Sequence, residues 1–286
     1  GRYSALSYFG LVPAALLGVN LDLLLDRALV AAGNCDGSNC PYQGDNLGGK
    51  LGAILGELAK AGRDKLTLIT SPAVGGFADW VEQLIAESTG KNGKGIVPVV
   101  GESLGSPGEY EEDRLFVYLR FKADTTYDKT VQDLEQVGHP VVTIELTDLY
   151  DLGAQFFLWE MATAVAGHRL GIHPFNQPDV EAAKILARQM VAAYQSQGAL
   201  PETAPDFQDG KISIYYDRAD LPPANTPGES LRSFLQIAQA GSYVAIQAYL
   251  QPTPEMDGLL AQLRTRIRDA TRLATTVGYG PRFLHS

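Results

Sequence analysis

A carboxylate that stands just before a glycine-rich, cationic segment is the strongest chemical feature of the sequence. Apolar residues at helical spacing predict a helix over about 76–88, which carries Gln83 and Glu87 one turn apart on one face. The helix is predicted to end at Gly90, and residues 90–95 contain three glycines and two lysines. Such a segment predicts a flexible loop that can approach an anionic ligand closely. A carboxylate beside it suits proton transfer on a charged small molecule.

A purely structural interpretation of the same stretch stays open at this point. A Glu near a helix C-terminus that is followed by Gly is often a solvated helix end with an ordinary left-handed cap. Lys91 and Lys94 would then be loop charges without a catalytic task.

The composition of the 286 residues is that of a soluble globular protein, with 45% hydrophobic and 20% charged residues. The 23 basic and 33 acidic residues give a net charge of -10, and no run of Lys and Arg could follow a phosphate backbone. Polar or charged residues such as Asn20, Asp22 and Asp26 interrupt the most apolar stretch, 11–32, which a membrane-spanning helix would rarely tolerate. We therefore expect a cytoplasmic protein that binds neither nucleic acid nor a membrane.

The sequence indicates neither a metal site nor a nucleotide cofactor. Cys35 and Cys40 are the only cysteines, and no second pair of ligands lies near them, so two reduced thiols are favoured over a zinc site. Glycine-rich patterns of the dinucleotide-binding and phosphate-loop types are absent from the chain.

Short apolar runs alternate with helical patterns along much of the chain. This alternation predicts an α/β fold in which helices cover both faces of a mostly parallel sheet. The predicted elements are, in chain order, strand 65–70, helix 76–88, strand 96–100, strand 115–121, helix 125–137, strand 141–146 and helix 150–167.

A stretch rich in Pro, Gly, Asp and Glu at 197–209 predicts a boundary within the chain. Two domains are expected, one over 1–196 and a C-terminal subdomain over 210–286. The predicted βαβ-like unit of the subdomain consists of strand 211–217, helix 229–240 and strand 242–250, with helix 255–273 after it.

Four segments, taken together, resemble phosphoglucose isomerase, and in particular the isomerase half of bacterial chains in which a transaldolase and a phosphoglucose isomerase are fused. They are Gly1-Arg2-Tyr3-Ser4, Glu87-Ser88-Thr89-Gly90-Lys91, Leu152-Gly153-Ala154 and the run from Pro174 to Lys184. Their order and separation match as well. The general resemblance covers residues 1–192, whereas 211–286 resembles the fused type only. It implies a three-layer αβα sandwich of the sugar-isomerase (SIS) type with an appended C-terminal βαβ-like subdomain.

The resemblance implies interconversion of glucose 6-phosphate and fructose 6-phosphate, a step of glycolysis and gluconeogenesis that needs no metal or nucleotide. One base must move a proton between C1 and C2 through an enediolate, and a cation must stabilise the developing oxygen charge. By resemblance Glu87 is that base, Arg2 is the cation, and Lys184 assists the opening of the sugar ring. The substrate contacts implied by the resemblance are Gly1, Gln83, Ser88 and Gln177.

The chain departs from the family's pattern at the histidine that takes part in ring opening. The family carries this histidine after the base, at the dimer interface, but residues 105–116 contain none. His285 is the best substitute, because it lies in the segment that resembles the fused type. His139, His168 and His173 lie elsewhere in the sequence.

A second departure concerns the phosphate group of the substrate. The family binds it on a loop in the half that precedes the Gly-Arg-Tyr-Ser motif, and this chain begins at that motif. We therefore expect a fragment of a longer chain, homodimeric and fused to a transaldolase domain, that turns over poorly or not at all when isolated. The alternative is a non-catalytic module of the same fold for sugar-phosphate binding or assembly, although such a module would need no base.

Overall fold

The computed structural model describes residues 2–40, 44, 46–201, 203–217, 221 and 224–281, with only the backbone described at 178–183. The chain divides into two compact units, one built from 1–176 with 243–286 and the other from 177–242. The stretch 197–209, where a domain boundary was predicted, falls inside the second unit.

Four parallel strands form the central sheet of the first unit. They are β1 (Lys65–Thr70), β2 (Val97–Val99), β3 (Arg114–Phe121) and β4 (Val141–Leu146), in the order β2-β1-β3-β4. Leu66 of β1 lies beside Leu115 of β3, and Phe116 of β3 lies beside Val141 of β4. Short runs of apolar and β-branched residues suit a parallel sheet that is buried on both faces, and the predicted α/β class is confirmed.

Helices cover both faces of this sheet, as predicted. The α-helices that precede residue 177 are α1 (Tyr8–Leu16), α2 (Leu21–Asn34), α3 (Leu47–Lys60), α4 (Gly75–Thr89), α5 (Asp128–Gln136) and α6 (Asp151–Leu170). On one face Leu84 of α4 and Trp159 of α6 pack in one cluster with Leu66. On the other face Leu134 of α5 packs with Phe116. The result is a three-layer αβα sandwich.

Glycines let α3 approach α6 at close range. A Cβ atom at Gly52 would lie 2.4 Å from the carbonyl oxygen of Ala162, and one at Gly56 would lie 2.6 Å from Cβ of Arg169. Neither position can carry a larger side chain unless the helices move apart. This packing fixes α6, whose C-terminal end carries part of the candidate site described below.

The described residues of the second unit form two helices and a hairpin. They are α7 (Pro178–Gln197), the antiparallel strands β5 (Phe207–Asp209) and β6 (Ile212–Ile214), and α8 (Pro227–Gln236). The strand predicted at 211–217 is therefore the second strand of this hairpin.

A βαβ unit is present at the C-terminal end of the first unit, but with a different composition from the predicted one. It consists of β7 (Tyr243–Ala248), α9 (Pro254–Thr271) and β8 (Ala274–Tyr279), and β7 and β8 are parallel neighbours. The strand near 211–217 pairs locally with β5 instead, because a two-residue turn makes that antiparallel partner available at once. Arg264 of α9 donates to the carbonyls of Val100 and Thr275 at 2.7 and 2.6 Å, which attaches this unit to the end of β2.

Candidate active site

An ion pair between Arg2 and Glu87 is the centre of the candidate site. Arg2 Nε lies 3.1 Å from Glu87 Oε2, and the two side chains are 6% and 11% exposed. Gln83, one turn earlier in α4, donates from Nε2 to Glu87 Oε1 at 3.1 Å. Three of the predicted site residues are thus in direct contact, although Arg2 is distant from the other two in sequence.

The guanidinium of Arg2 is also bound by groups other than Glu87. Its Nη1 donates to Ser88 Oγ and to the Pro174 carbonyl, both at 2.9 Å, and its Nη2 donates to the Asn176 carbonyl at 3.4 Å. A planar guanidinium presents its donors in a fixed fork, so these acceptors set its orientation. The Nε edge is thereby directed at the Glu87 carboxylate.

The turn after α4 is ordered. Lys91 and Lys94 exchange two backbone hydrogen bonds of 3.0 Å around Asn92 and Gly93, whose φ angles are 56° and 70°. Two central residues with positive φ are the geometry of a type I′ turn, which Asn-Gly favours. The flexible loop predicted from the glycines is therefore a defined turn, because the glycine supplies the required φ and does not leave the backbone free.

Both lysines of this turn bind backbone carbonyls at and beyond the end of α6. Lys91 Nζ donates to the His173 carbonyl at 2.8 Å, and Lys94 Nζ donates to the Leu170 carbonyl at 2.9 Å. Cations at the C-terminus of a helix interact favourably with its last carbonyls. The sequence pattern around the two lysines does not indicate this function.

Tyr3 packs between the end of α4 and the segment after α6. Its hydroxyl donates to Ser88 Oγ at 3.1 Å, and its ring centroid lies 5.0 Å from that of Phe175. Burial raises the pKa of Tyr3, while the Ser88 hydrogen bond and Arg2 act in the opposite direction. The phenol is therefore neutral at physiological pH and available as a hydrogen-bond donor.

Glu160 is an acidic residue that the sequence analysis missed. It lies on α6, and burial raises the pKa of its carboxyl to about 7. Its Oε1 is buried and has no hydrogen-bond partner among the described residues. Its charge contributes to the raised pKa of Tyr3. The signal in the sequence is an acidic residue between Trp159 and Met161, in an otherwise apolar stretch of the helix.

The other predicted site residues belong to the second unit or are outside the described residues. Gln177 is the residue before α7 and Lys184 is on α7, and both are exposed residues of the second unit. Gly1 and His285 are outside the described residues. Their assigned roles, and a substrate contact at Ser88, stay predictions.

The remaining histidines differ in their surroundings. Burial lowers the pKa of His139, whose ring packs edge-on against Phe116 at 5.4 Å between centroids. His168 is exposed near the end of α6. His173 lies next to Pro174, and its Nδ1 accepts a hydrogen bond from the Phe175 amide at 3.3 Å.

Within the described parts of the chain, no group of three His, Cys, Asp or Glu side chains is placed to hold a metal ion. No helix in the same parts is long and apolar enough to cross a membrane.

The arrangement supplies the two elements that an enolisation needs. The Glu87 carboxylate can accept and return a proton, and the Arg2 guanidinium beside it can stabilise a developing oxyanion. Gln83 restrains the carboxylate from one side, which limits the geometries from which it can act.

Comparison with known proteins relates the chain to one named group of enzymes. A protein of Staphylococcus aureus (strain Mu50), described as glucose-6-phosphate isomerase, is 29% identical over 223 residues, which is 64% of this chain and 50% of that protein. A protein of Staphylococcus saprophyticus with the same description is 29% identical over 253 residues, or 75% of this chain and 54% of that protein. No protein-family model matches the chain.

The chain spans about half the length of the curated relatives that it matches. Among solved structures, a hypothetical protein from Thermus thermophilus aligns with a TM-score of 0.58 at 23% identity, over 67% of this chain and 55% of that one. That likeness supports the fold. The curated relatives confirm the predicted resemblance to phosphoglucose isomerase, and the resemblance to the fused type stays a prediction.

Proposed function

We propose that this chain, a relative of glucose-6-phosphate isomerases, carries the proton-transferring part of the active site of an aldose–ketose isomerase. The substrates would be glucose 6-phosphate and fructose 6-phosphate. The observation that carries the proposal is the Glu87 carboxylate held between the Gln83 amide and the Arg2 guanidinium. The names of the curated relatives support the same reaction.

Glu87 acts as the base in the proposed reaction. It removes the proton from C2 of the open-chain aldose, an enediolate forms, the hydroxyl proton passes from O2 to O1, and the same carboxyl group returns a proton to C1 to give the ketose. The reverse reaction follows the same steps in the opposite order. A single carboxylate is sufficient, because the two carbon atoms are adjacent and the proton stays on one side of the enediolate.

Arg2 stabilises the negative charge that develops on the substrate oxygen. Its charge is permanent, and Ser88, Pro174 and Asn176 hold it in place before a substrate arrives. A cation that is oriented in advance requires little reorganisation when the charge forms. The substrate oxygen would contact the Nε edge of the guanidinium, which is the edge that faces Glu87.

The remaining steps are assigned by resemblance. We propose that Lys184 and His285 assist ring opening, and that Gly1, Ser88 and Gln177 contribute to substrate binding. A homodimer, a cytoplasmic location and a covalent link to a transaldolase domain belong to the same proposal.

The proposal is tested by the rate of fructose 6-phosphate conversion in the full-length protein that contains this chain. Replacement of the base in Glu87→Gln keeps the size of the side chain, so we expect a loss of about 10²-fold or more in kcat. The matched control is Glu57→Gln, which alters a half-exposed carboxylate that pairs with Arg169 outside the site. A panel of hexose and pentose phosphates would determine the preferred sugar.

Three outcomes separate the alternatives. A collapse of the rate in Glu87→Gln alone supports the isomerase and its base. An unchanged rate assigns the proton transfer to another residue. A protein that binds fructose 6-phosphate but shows no conversion, with or without the substitution, favours the non-catalytic module.

A further inference from the structure

Lys91 is a buried lysine with a specific backbone acceptor. It is 4% exposed, and its ammonium group donates to the His173 carbonyl at 2.8 Å. Its backbone is fixed by the turn that directly follows α4, four residues after Glu87. A long side chain of this kind loses most of its rotamer freedom on burial, so the hydrogen bond defines one position of the carbonyl.

The segment 173–176 is bound by two cations. Lys91 holds the carbonyl of His173, and Arg2 holds the carbonyls of Pro174 and Asn176. Phe175, between them, packs on the ring of Tyr3. The Pro174 carbonyl, one of the two acceptors of Arg2 Nη1, therefore directly follows the His173 carbonyl that Lys91 fixes.

Lys94 provides an internal contrast within the same turn. It is exposed, and it donates to the carbonyl of Leu170, the last residue of α6, at 2.9 Å. That contact is an ordinary helix C-terminal interaction and leaves the segment 173–176 untouched. The two lysines thus have the same chemistry and neighbouring positions but bind different carbonyls.

We infer that Lys91 is a positioning residue for the Arg2–Glu87 pair, because it fixes the segment whose carbonyls orient the Arg2 guanidinium. The inference rests on the proposed function, in which that guanidinium stabilises the enediolate. A displaced guanidinium would still bind the ground-state sugar through its charge, but it would meet the developing oxyanion in a poorer geometry. The expected effect is therefore on kcat more than on KM.

The test compares Lys91→Met, Lys91→Arg and Lys94→Met in the full-length protein. Methionine keeps most of the apolar stem and removes the donor, whereas arginine keeps a charged donor. We expect kcat of Lys91→Met to fall about 10-fold with KM within about threefold, and Lys91→Arg to recover to within about threefold of the wild type. Lys94→Met is expected to stay within about twofold of the wild-type kcat.

Amide hydrogen exchange of residues 171–176 gives a readout that does not depend on activity. It is expected to become faster in Lys91→Met and to change little in Lys94→Met, because Lys91 donates to the His173 carbonyl whereas Lys94 donates to the Leu170 carbonyl, before this segment. If Lys91→Met does not fold, Lys91→Arg carries the test, and a loss of about 10-fold or more in its kcat overturns the inference.

The two proposals can fail separately. A wild-type protein without isomerase activity overturns the proposed function, and the inference with it. An active wild type in which Lys91→Met keeps its kcat overturns the inference alone, whether or not the exchange of 171–176 becomes faster. Equal losses of kcat in Lys91→Met and Lys94→Met also overturn it.

Discussion

Two arginine–carboxylate pairs of this molecule have similar contact distances but opposite surroundings. Arg2 and Glu87 meet at 3.1 Å with side chains 6% and 11% exposed, whereas Arg114 and Glu102 meet at 3.0 Å with side chains 0% and 1% exposed. The side chains of the first pair are partly exposed to solvent, and those of the second are sealed from it. Exposure, and not the ion pair itself, therefore distinguishes the pair that can reach a ligand.

The neighbours of the sealed pair fit a structural task. Arg114 donates to Thr67 at 2.8 Å, and Glu102 accepts from Thr275 at 2.9 Å, so the pair connects β1, β3 and β8. The guanidinium of Arg114 also lies 5.2 Å from the ring centroid of Tyr110. A buried pair of this kind is weak evidence for stability in itself, but removal of one partner leaves an uncompensated charge.

The largest expected effect on stability follows from breaking the sealed pair. Arg114→Met leaves the buried Glu102 carboxylate without its ion-pair partner at 3.0 Å and should lower the free energy of unfolding by about 3–5 kcal/mol. Urea unfolding measures it, with Lys129→Met as the control, since the exposed pair of Lys129 with Asp133 should be worth about 0.5 kcal/mol or less. A cost below about 1 kcal/mol for Arg114→Met would remove the contrast between the two pairs.

A smaller free-energy change is expected when the Arg2–Glu87 pair is altered, and it should appear in the catalytic rate. The single ammonium group of Arg2→Lys cannot donate to Ser88, Pro174, Asn176 and Glu87 together, because it lacks the forked set of donors of the guanidinium. We expect kcat/KM to fall about 10²-fold, equivalent to about 2.7 kcal/mol, with a small change in melting temperature. Activity within about threefold of the wild type would show that charge suffices and orientation does not matter.

Glu160 is a carboxyl group that can be compared with Glu87 and Glu102, the acids of the two ion pairs. Burial raises the pKa of Glu160 to about 7. A raised folded-state pKa means that its contribution to stability is fully present below the unfolded value of 4.5 and is lost as pH rises through about 7. Glu160→Gln mimics the protonated form. It should therefore stabilise the protein by about 2 kcal/mol at pH 8 and have little effect near pH 4.

Thermal unfolding of Glu160→Gln and the wild type at several pH values checks this prediction. Glu57→Gln serves as the control, because the pKa of the Glu57 carboxyl is lowered, first by its hydrogen bond with Arg169. A difference between Glu160→Gln and the wild type that is the same at every pH would contradict the raised pKa of Glu160.

Local patterns predicted the elements of the first unit well. The strands at 65–70 and 141–146 occupy the predicted residues, and the helix that carries Glu87 extends only slightly beyond its predicted bounds. Apolar runs bounded by polar residues have few alternatives to a buried strand. Local patterns do not determine which distant strands pair. The pairing of β7 with β8, and not with the strand near 211–217, was therefore not predicted.

The site itself required contacts that no local pattern contains. Resemblance named Arg2 and Glu87, but their ion pair depends on how the first residues of the chain meet the end of α4. The strand-end rule for α/β folds did not place the site either. It lies at the C-terminal end of α4, where Thr89 accepts a hydrogen bond from Ile96 just before β2 begins, so it is at the amino end of that strand.

Glu160 and Lys91 show why some side chains could not be assigned from the sequence. On a helix of mixed pattern an acidic residue is normally a solvated one, and a lysine in a glycine-rich turn is normally a free charge. Burial, which changes both expectations, results from packing against residues far away in the sequence.

The most direct test of the proposed base follows the hydrogen on C2 of the substrate. With glucose 6-phosphate deuterated at C2, the full-length wild-type protein should move deuterium from C2 to C1 or to water. In Glu87→Gln that loss from C2 should be slower by about 10²-fold or more, while the melting temperature stays close to that of the wild type. Loss of deuterium from C2 at the wild-type rate in folded Glu87→Gln would contradict the assignment of Glu87 as the base.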